Sequence, residues 1–501
     1  MIDLFAGPGG LGEGFSAFAD SRGQCPFRIV ASVEKEPSAH STLQLRAFFR
    51  QFGGEIPQAY YKFVRGRITP EDLQARYPHQ AQAAARETLY GPRQLGDTTD
   101  DELVFGELKR LRRQIAEEFI VIGGPPCQAY SIAGRARNRG VKGYRPEADR
   151  RHYLYQEYLR VLDLIRPAVF VMENVRGILS SKIKDQLLFP TILRDLAHPS
   201  VAAGNIKGPR YRIYSLATAV PDDLDQASGE NFIIKSELYG VPQSRHRVIL
   251  LGVREDIARR PAQLAAEQDI LPLADVIGGM PQLRSGLSRE PDSAAGWQRA
   301  VAQAAAYVKP DLRRAGVPAD DIAEALAKAT RHISRGSAYV RAYQKRLKAV
   351  RLRDWLEDRA IGGYLHHETR EHIRSDLARY FFCACYGASA GLSPRSHVFP
   401  DKLAPRHRNW YTGAFADRFK VQVADRPSGT ITSHIARDGH HFIHYDPSQC
   451  RSLTVREAAR VQTFPDNYFF CGNRTQQYTQ VGNAVPPWLS RQIAEVVAML
   501  L

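Results

Sequence analysis

Four short segments of this chain place reactive or ligand-holding side chains at the edges of apolar runs. In Phe119-Ile-Val-Ile-Gly-Gly-Pro-Pro-Cys127-Gln-Ala-Tyr-Ser131 a cysteine follows a strand-like run. Two prolines fix φ ahead of it and stiffen the turn, and a rigid thiol beside basic residues suits a thiolate nucleophile. In Val169-Phe-Val-Met-Glu173-Asn-Val175 a carboxylate ends a second run, where partial burial can keep it protonated as a proton donor. Gln243-Ser-Arg245-His-Arg247 leads into a third run, Val248–Val253. Alternate strand residues share a face, so Gln243, Arg245 and Arg247 can point into one site, where two guanidiniums suit an electron-rich carbonyl or a phosphate. The plain alternatives are a buried structural cysteine, a carboxylate in an ion pair and a solvated basic strand end.

The fourth segment, Asp3-Leu-Phe5-Ala-Gly7-Pro-Gly9-Gly10-Leu11-Gly12, reads as a short strand, a glycine-rich turn and a helix start. Glycine lets such a turn take positive φ and approach a ligand closely. Glu34 follows the next strand, where an acid can hold ribose hydroxyls. NAD, FAD and S-adenosylmethionine all use turns of this kind, so the turn alone leaves the cofactor open.

The elements that must position these groups alternate. Ile29–Val33, Phe119–Ile122, Ala168–Met172 and Val248–Val253 read as buried strands, and Leu103–Glu118, Tyr153–Ile165 and Asp185–Leu196 as helices, the last kinked or broken by Pro190. Alternation of this kind indicates a parallel sheet covered on both faces. From about Arg254 the pattern changes to an Ala- and Arg-rich, mostly helical insertion, with helical spacing in Ile322–Thr330 and Ala338–Leu356. Ser393–Asn409 reads as loop, order returns at Phe419–Val423, and Pro486–Leu501 reads as an end helix.

The formal charge of +16 points to a polyanionic partner, nucleic acid first. Between Ser131 and Arg151 the glycine-bearing stretch holds Arg135, Arg137, Arg139, Lys142, Arg145, Arg150 and Arg151, a loop suited to closing over a phosphate backbone. Six scattered cysteines form no disulfide framework, and no apolar run approaches the roughly 20 residues of a membrane span. A cytoplasmic protein is expected. His367-Glu-Thr-Arg-Glu-His372 spaces its histidines i,i+5, unlike the i,i+4 zinc motif, and Cys383-Ala-Cys385 has no second cysteine pair, so no metal is expected.

In order along the chain, the Phe5-Ala6-Gly7 turn, Glu34, Gly96-Asp97, Pro126-Cys127-Gln128, Glu173-Asn174-Val175 and Gln243-x-Arg245-x-Arg247 resemble the bacterial type of DNA cytosine-5 methyltransferase. So do Arg426-Pro427, Thr430-Ile431-Thr432, Arg451-x-Leu453-Thr454-x-Arg456-Glu457, Arg460-Val-Gln462-Thr463-Phe464-Pro465 and Gln480-Val-Gly482-Asn483-Ala484-Val485-Pro486. The resemblance covers about 1–255 and 418–501.

It implies an α/β fold: a Rossmann-like, S-adenosylmethionine-dependent methyltransferase sheet with a second, smaller target-recognition domain. The catalytic and cofactor-binding domain would span 1–255, completed by 474–501. The target-recognition insertion would span 256–425, and 426–473 would be a return segment carrying the late motifs. Cys127 would add to C6 of a cytosine flipped out of the duplex, Glu173 would act at N3, and Arg247 with Arg245 would hold O2. The methyl donor would lie against Phe5, Gly7, Gly10, Leu11, Glu34, Lys35, Asp97, Thr98, Pro126, Asn483 and Ala484. At Lys35 the family often carries an aromatic or apolar residue. Gln128, Ser131, Arg135, Arg137 and Gln243 would meet DNA. Double-stranded DNA is the expected partner, and a nucleoid association through it the expected setting, with a cognate restriction or defence system beside it. A tRNA methyltransferase, a non-catalytic scaffold and a dinucleotide oxidoreductase are the competing readings.

Overall fold

The computed structural model describes residues 1–126, 154–183, 186–220, 226–332, 334–405, 410 and 418–501. Its N-terminal half runs β1 (Ile2–Leu4), α1 (Gly10–Ser16), β2 (Ala31–Val33), α2 (Pro37–Arg50), α3 (Thr98–Gln114), β3 (Ile120–Gly123), α4 (Leu154–Ile165), β4 (Val169–Val175), α5 (Leu188–Ala197), β5 (Tyr211–Tyr214), β6 (Ile233–Lys235) and β7 (His246–Arg254), with short helices added between residues 58 and 87.

The main sheet has the order β2-β1-β3-β4-β7-β5, and β6 also pairs with β7. The apolar runs are continuous because each strand feeds two cores. Val121, Phe170 and Met172 enter one core, while Ile120, Ile122, Val169 and Val171 enter the other. The second core is closed by α1 and the end helix.

Three expectations are corrected. The sheet is mixed: β1, β2, β3 and β4 pair in parallel, but β7 runs antiparallel to β4, β5 and β6. The chain reverses directly between Lys235 and His246, too short a stretch for the crossover that a parallel neighbour needs. Pro190 does not break α5, because it sits in the first turn, where the missing N–H has no helical acceptor to lose. Residues 338–349 are not helical. Strand β8 (Gly336–Arg341) pairs antiparallel with β9 (Gly363–Glu368), and helix begins only at α8 (Val350–Leu356). Pairing with a buried strand overrides the local helical spacing.

In the insertion α6 (Ala294–Arg314), α7 (Ala319–Ala329) and α9 (Arg374–Ala390) pack together in one core, which Ile443 and Cys450 of the return segment join. Cys383 and Cys385 are buried there on α9. A further core joins residues 273–280 and 347–364 to the late elements α10 (Val455–Val461) and α11 (Arg474–Asn483), so the return segment shares its interior with the insertion. The closing helix α12 (Pro487–Ala498) lies against α1. Among the described residues no helix is long and apolar enough to cross a membrane.

Candidate active site

Reversal of β7 beside β4 builds the first part of the site. The register sets Arg247 opposite Val175 and Ile249 opposite Glu173. Arg247 Nε then lies 2.9 Å from Glu173 Oε1, with both side chains mostly buried. A second nitrogen of the Arg247 guanidinium donates to the His246 carbonyl at 2.8 Å. Burial pulls the Arg247 guanidinium below its ordinary value while Glu173 opposes the shift. Starting from so high a pKa, the group stays cationic.

The loop leaving β3 passes over this pair. A Cβ at Gly124 would stand 3.0 Å from Glu173 Oε2, so any side chain there would press on the carboxylate. The Asn174 amide donates to the Pro125 carbonyl at 3.2 Å, and its own oxygen accepts from the Val175 N–H at 2.8 Å. The chain is thereby tethered two residues before Cys127. Pro126 is described; Cys127, Gln128, Ser131, Arg135 and Arg137, with the rest of the basic stretch, lie outside the described residues.

Arg245 and Gln243 do other work than their spacing suggests. Arg245 is buried and donates to the carbonyls of Ile431 at 2.8 Å and Gly482 at 3.3 Å. Burial and the neighbouring Arg247 push its guanidinium well below the usual range. Gln243 is fully buried; its amide donates to Gln462 Oε1 at 2.8 Å and its oxygen accepts from the Ile431 N–H at 2.6 Å. The placement of Gln243 therefore departs from the expectation that it meets DNA, since both ends of its amide are already bonded inside the protein. Thr430 adds a bond from its hydroxyl to the Ser244 carbonyl at 2.6 Å. These contacts stitch the late segment to the head of β7.

The glycine turn forms a second cluster. Phe5, Gly7 and Gly9 all take left-handed backbone, at φ 54°, 57° and 96°. The Gly7 N–H donates to Glu34 Oε2 at 2.8 Å, and the Glu36 N–H donates to Glu34 Oε1 at 2.7 Å. Asp97 caps α3 through one oxygen, which accepts from the N–H groups of Thr99 and Asp100; its other oxygen makes no bond among the described residues. The Arg93 N–H donates to the Glu34 carbonyl at 2.8 Å, which brings the segment before Asp97 alongside Glu34. Lys35, Thr98 and Asn483 are exposed, and Ala484 is buried. Leu11 is buried in the core under α1. Gly10 packs on backbone, where a Cβ would come within 2.3 Å of the Val485 carbonyl oxygen.

A family model described as C-5 cytosine-specific DNA methylase matches residues 98–198 and 228–498. The chain belongs to that family. It is 31% identical to the type II methyltransferase M.Bpa9945I of Bacillus paralicheniformis over 99% of this chain and 98% of the relative. It is 25% identical to the type II methyltransferase M.AgeI of Thalassovita gelatinovora over 100% of this chain and 99% of the relative. It is also 27% identical to the DNA (cytosine-5-)-methyltransferase M.ApeKI of Aeropyrum pernix over 76% of this chain and 81% of the relative. The protein is a DNA cytosine-5 methyltransferase that takes its methyl group from S-adenosylmethionine.

The turn of this methyltransferase fits that donor. Among the described residues a Cβ on Gly7 would meet nothing within 4 Å, so these residues leave room beside the turn. Glu34, held at both oxygens by backbone N–H groups, keeps lone pairs for ribose hydroxyls, and Asp97 offers an oxygen suited to an exocyclic amine. Sequence reasoning did not single out Asn174 or Gln462 as organisers of the site; their signal was present only as membership of motifs, because Pro125 and Gln243, which they bond, lie far away in the chain.

Proposed function

We propose that this methyltransferase flips its target cytosine out of duplex DNA and attacks it through Cys127. The single observation that carries the reading is the Glu173–Arg247 pair at 2.9 Å, set beside the loop that Asn174 tethers at Pro125. Cytosine is a poor electrophile, so addition at C6 needs charge taken up at the far side of the ring. The Cys127 sulfur forms a bond to C6 while Glu173 supplies a proton or hydrogen bond at N3, and Arg247 holds O2. Arg245 keeps Arg247 in place from behind by fixing the head of β7 to Ile431 and Gly482. Bound S-adenosylmethionine supplies the methyl group that C5 receives. Loss of the C5 proton to a base and departure of the Cys127 thiolate then restore the aromatic ring.

Phe5, Gly7, Gly10, Leu11, Glu34, Lys35, Asp97, Thr98, Pro126, Asn483 and Ala484 form the proposed donor site. Gln128, Ser131, Arg135 and Arg137 form the proposed DNA contacts. Residues 256–425 serve as the target-recognition region, reading bases and clamping phosphates; the packing of α6, α7 and α9 in one core supports that reading. The names of the type II relatives support a cognate restriction enzyme as partner.

A duplex carrying 5-fluorocytosine at the target site tests the reaction. The fluorine blocks release after methyl transfer, so a covalent complex is expected with the native protein and none with Cys127→Ser. Absence of the adduct with the native enzyme on an otherwise good substrate overturns the reading.

A further inference from the structure

We infer that Tyr468, in the return segment, is a positioning residue for the methyl-donor site. The turn between β1 and α1 takes left-handed backbone at Phe5, Gly7 and Gly9. Such a backbone persists only where its surroundings over-determine it, most of all at a bulky residue such as Phe5. Several of its restraints are local: the Ala6 N–H donates to the Val33 carbonyl at 3.0 Å, and the Gly9 N–H donates to the Ala6 carbonyl at 2.9 Å. Pro8, between the two glycines, has no N–H to give. Its carbonyl accepts from the phenol hydroxyl of Tyr468, contributed from the far end of the chain.

That phenol is held rigidly. Tyr468 is fully buried, with its ring centroid 4.7 Å from that of Phe464 and the Arg46 guanidinium 4.8 Å from it on the α2 side. Arg456 donates to the Tyr468 carbonyl at 2.6 Å. Arg46 also pairs with Glu13 of α1 at 2.8 Å and donates to Asn467 at 2.9 Å. Tyr468 thus holds the turn directly, and Asn467 reaches the helix after it through Arg46. The fit is close: a Cβ on Gly9 would come within 3.0 Å of the Tyr468 hydroxyl and 2.9 Å of Leu43. Gly7, by contrast, would meet nothing within 4 Å among the described residues. The phenol braces the turn from within the protein and leaves its outer side free, so it acts on donor affinity and not on the reacting cytosine. This rests on the assignment of the Gly7 turn as the donor site.

The test is Tyr468→Phe, which deletes one hydroxyl and keeps the ring. Binding of S-adenosylhomocysteine by calorimetry is expected to weaken about tenfold, equivalent to about 1.4 kcal/mol. The donor KM should rise in step, with kcat at saturating donor and DNA affinity within twofold of the native protein. The control is Tyr478→Phe, which removes an equally buried hydroxyl that donates to the Leu453 carbonyl at 2.7 Å, away from the turn; its donor affinity should not move. Unchanged affinity in Tyr468→Phe, or an equal loss in Tyr478→Phe, overturns the inference. Glu34→Ala separates the two levels. If it binds S-adenosylhomocysteine as well as the native protein, the assignment of the donor site falls; if it weakens binding while Tyr468→Phe does not, only the role of Tyr468 falls.

Discussion

Arg247 and Glu173 face each other across an antiparallel strand pair with Nε 2.9 Å from Oε1, although 74 positions separate them in the chain. The pair exists because β7 reverses direction beside β4. Without Glu173 the mostly buried Arg247 guanidinium would lose its carboxyl neighbour, a costly position for a cation.

Glu173→Gln keeps the shape and removes the carboxylate. Under the proposed mechanism kcat should fall by about 10²–10⁴, the usual range for loss of a positioned general acid. Duplex binding by fluorescence anisotropy should stay within severalfold. A Gln variant with native kcat would remove Glu173 from the chemistry.

Asn174→Ala frees the Pro125 carbonyl from its 3.2 Å bond and loosens the loop that carries Cys127. Misplacing a nucleophile by about an ångström can cost on the order of 10²-fold. Single-turnover methylation is expected to slow by about that factor, with S-adenosylhomocysteine affinity unchanged. An equal loss of donor affinity would indicate general damage instead.

Two glycine-to-alanine changes should have opposite effects on stability. Gly482 lies against the backbone of Thr432, where a Cβ would come within 2.2 Å, so Gly482→Ala should destabilise by about 1–3 kcal/mol and disturb the carbonyl that Arg245 holds. Gly106 lies within α3 with nothing among the described residues within 4 Å of its added Cβ, so Gly106→Ala should stabilise by about 0.5–1 kcal/mol. Urea unfolding of the two variants checks both signs.

Acid should unfold this protein through its buried histidines. Burial pulls His367 and His444 down to about 4, and it pulls His366 and His372 well below their ordinary value. Between pH 6.5 and 4 the unfolded chain therefore binds protons that the folded chain refuses, so stability falls as pH falls through that window. Asp3 works the other way: burial raises it to about 8, so its contribution is full below about 4 and is lost as pH rises toward 8. Four histidines outweigh one carboxyl on the acid side. Unfolding midpoints should drop steeply below pH 6, and Asp3→Asn should gain more stability at pH 8 than at pH 5. A flat profile from pH 7 to 4 would contradict the histidine account.

Breaking the fully buried Arg451–Glu457 pair, whose two bonds are both 2.7 Å, should cost about 3–5 kcal/mol, because the Arg451 charge then keeps only neutral acceptors on Gln449, Leu283 and Ser452. Thermal unfolding of Glu457→Gln measures it. A loss below 1 kcal/mol would mean that water reaches Arg451.

Local chemistry made much of this legible from the residues alone. The two-sided apolar runs of β3 and β4 had to be central strands, the Gly-Pro-Gly turn had to bend tightly, and the ordered motifs named the family. Sequence could not tell that β7 runs antiparallel, that residues 338–349 avoid the helix their spacing favours, or that Gln243 and Arg245 spend their hydrogen bonds on Ile431, Gln462 and Gly482. Nor could it show that Tyr468 braces Pro8. Side-chain type and period are local properties, whereas strand direction and the partner of a buried polar group depend on which distant segments share an interior. Only packing of the whole chain decides which segments those are.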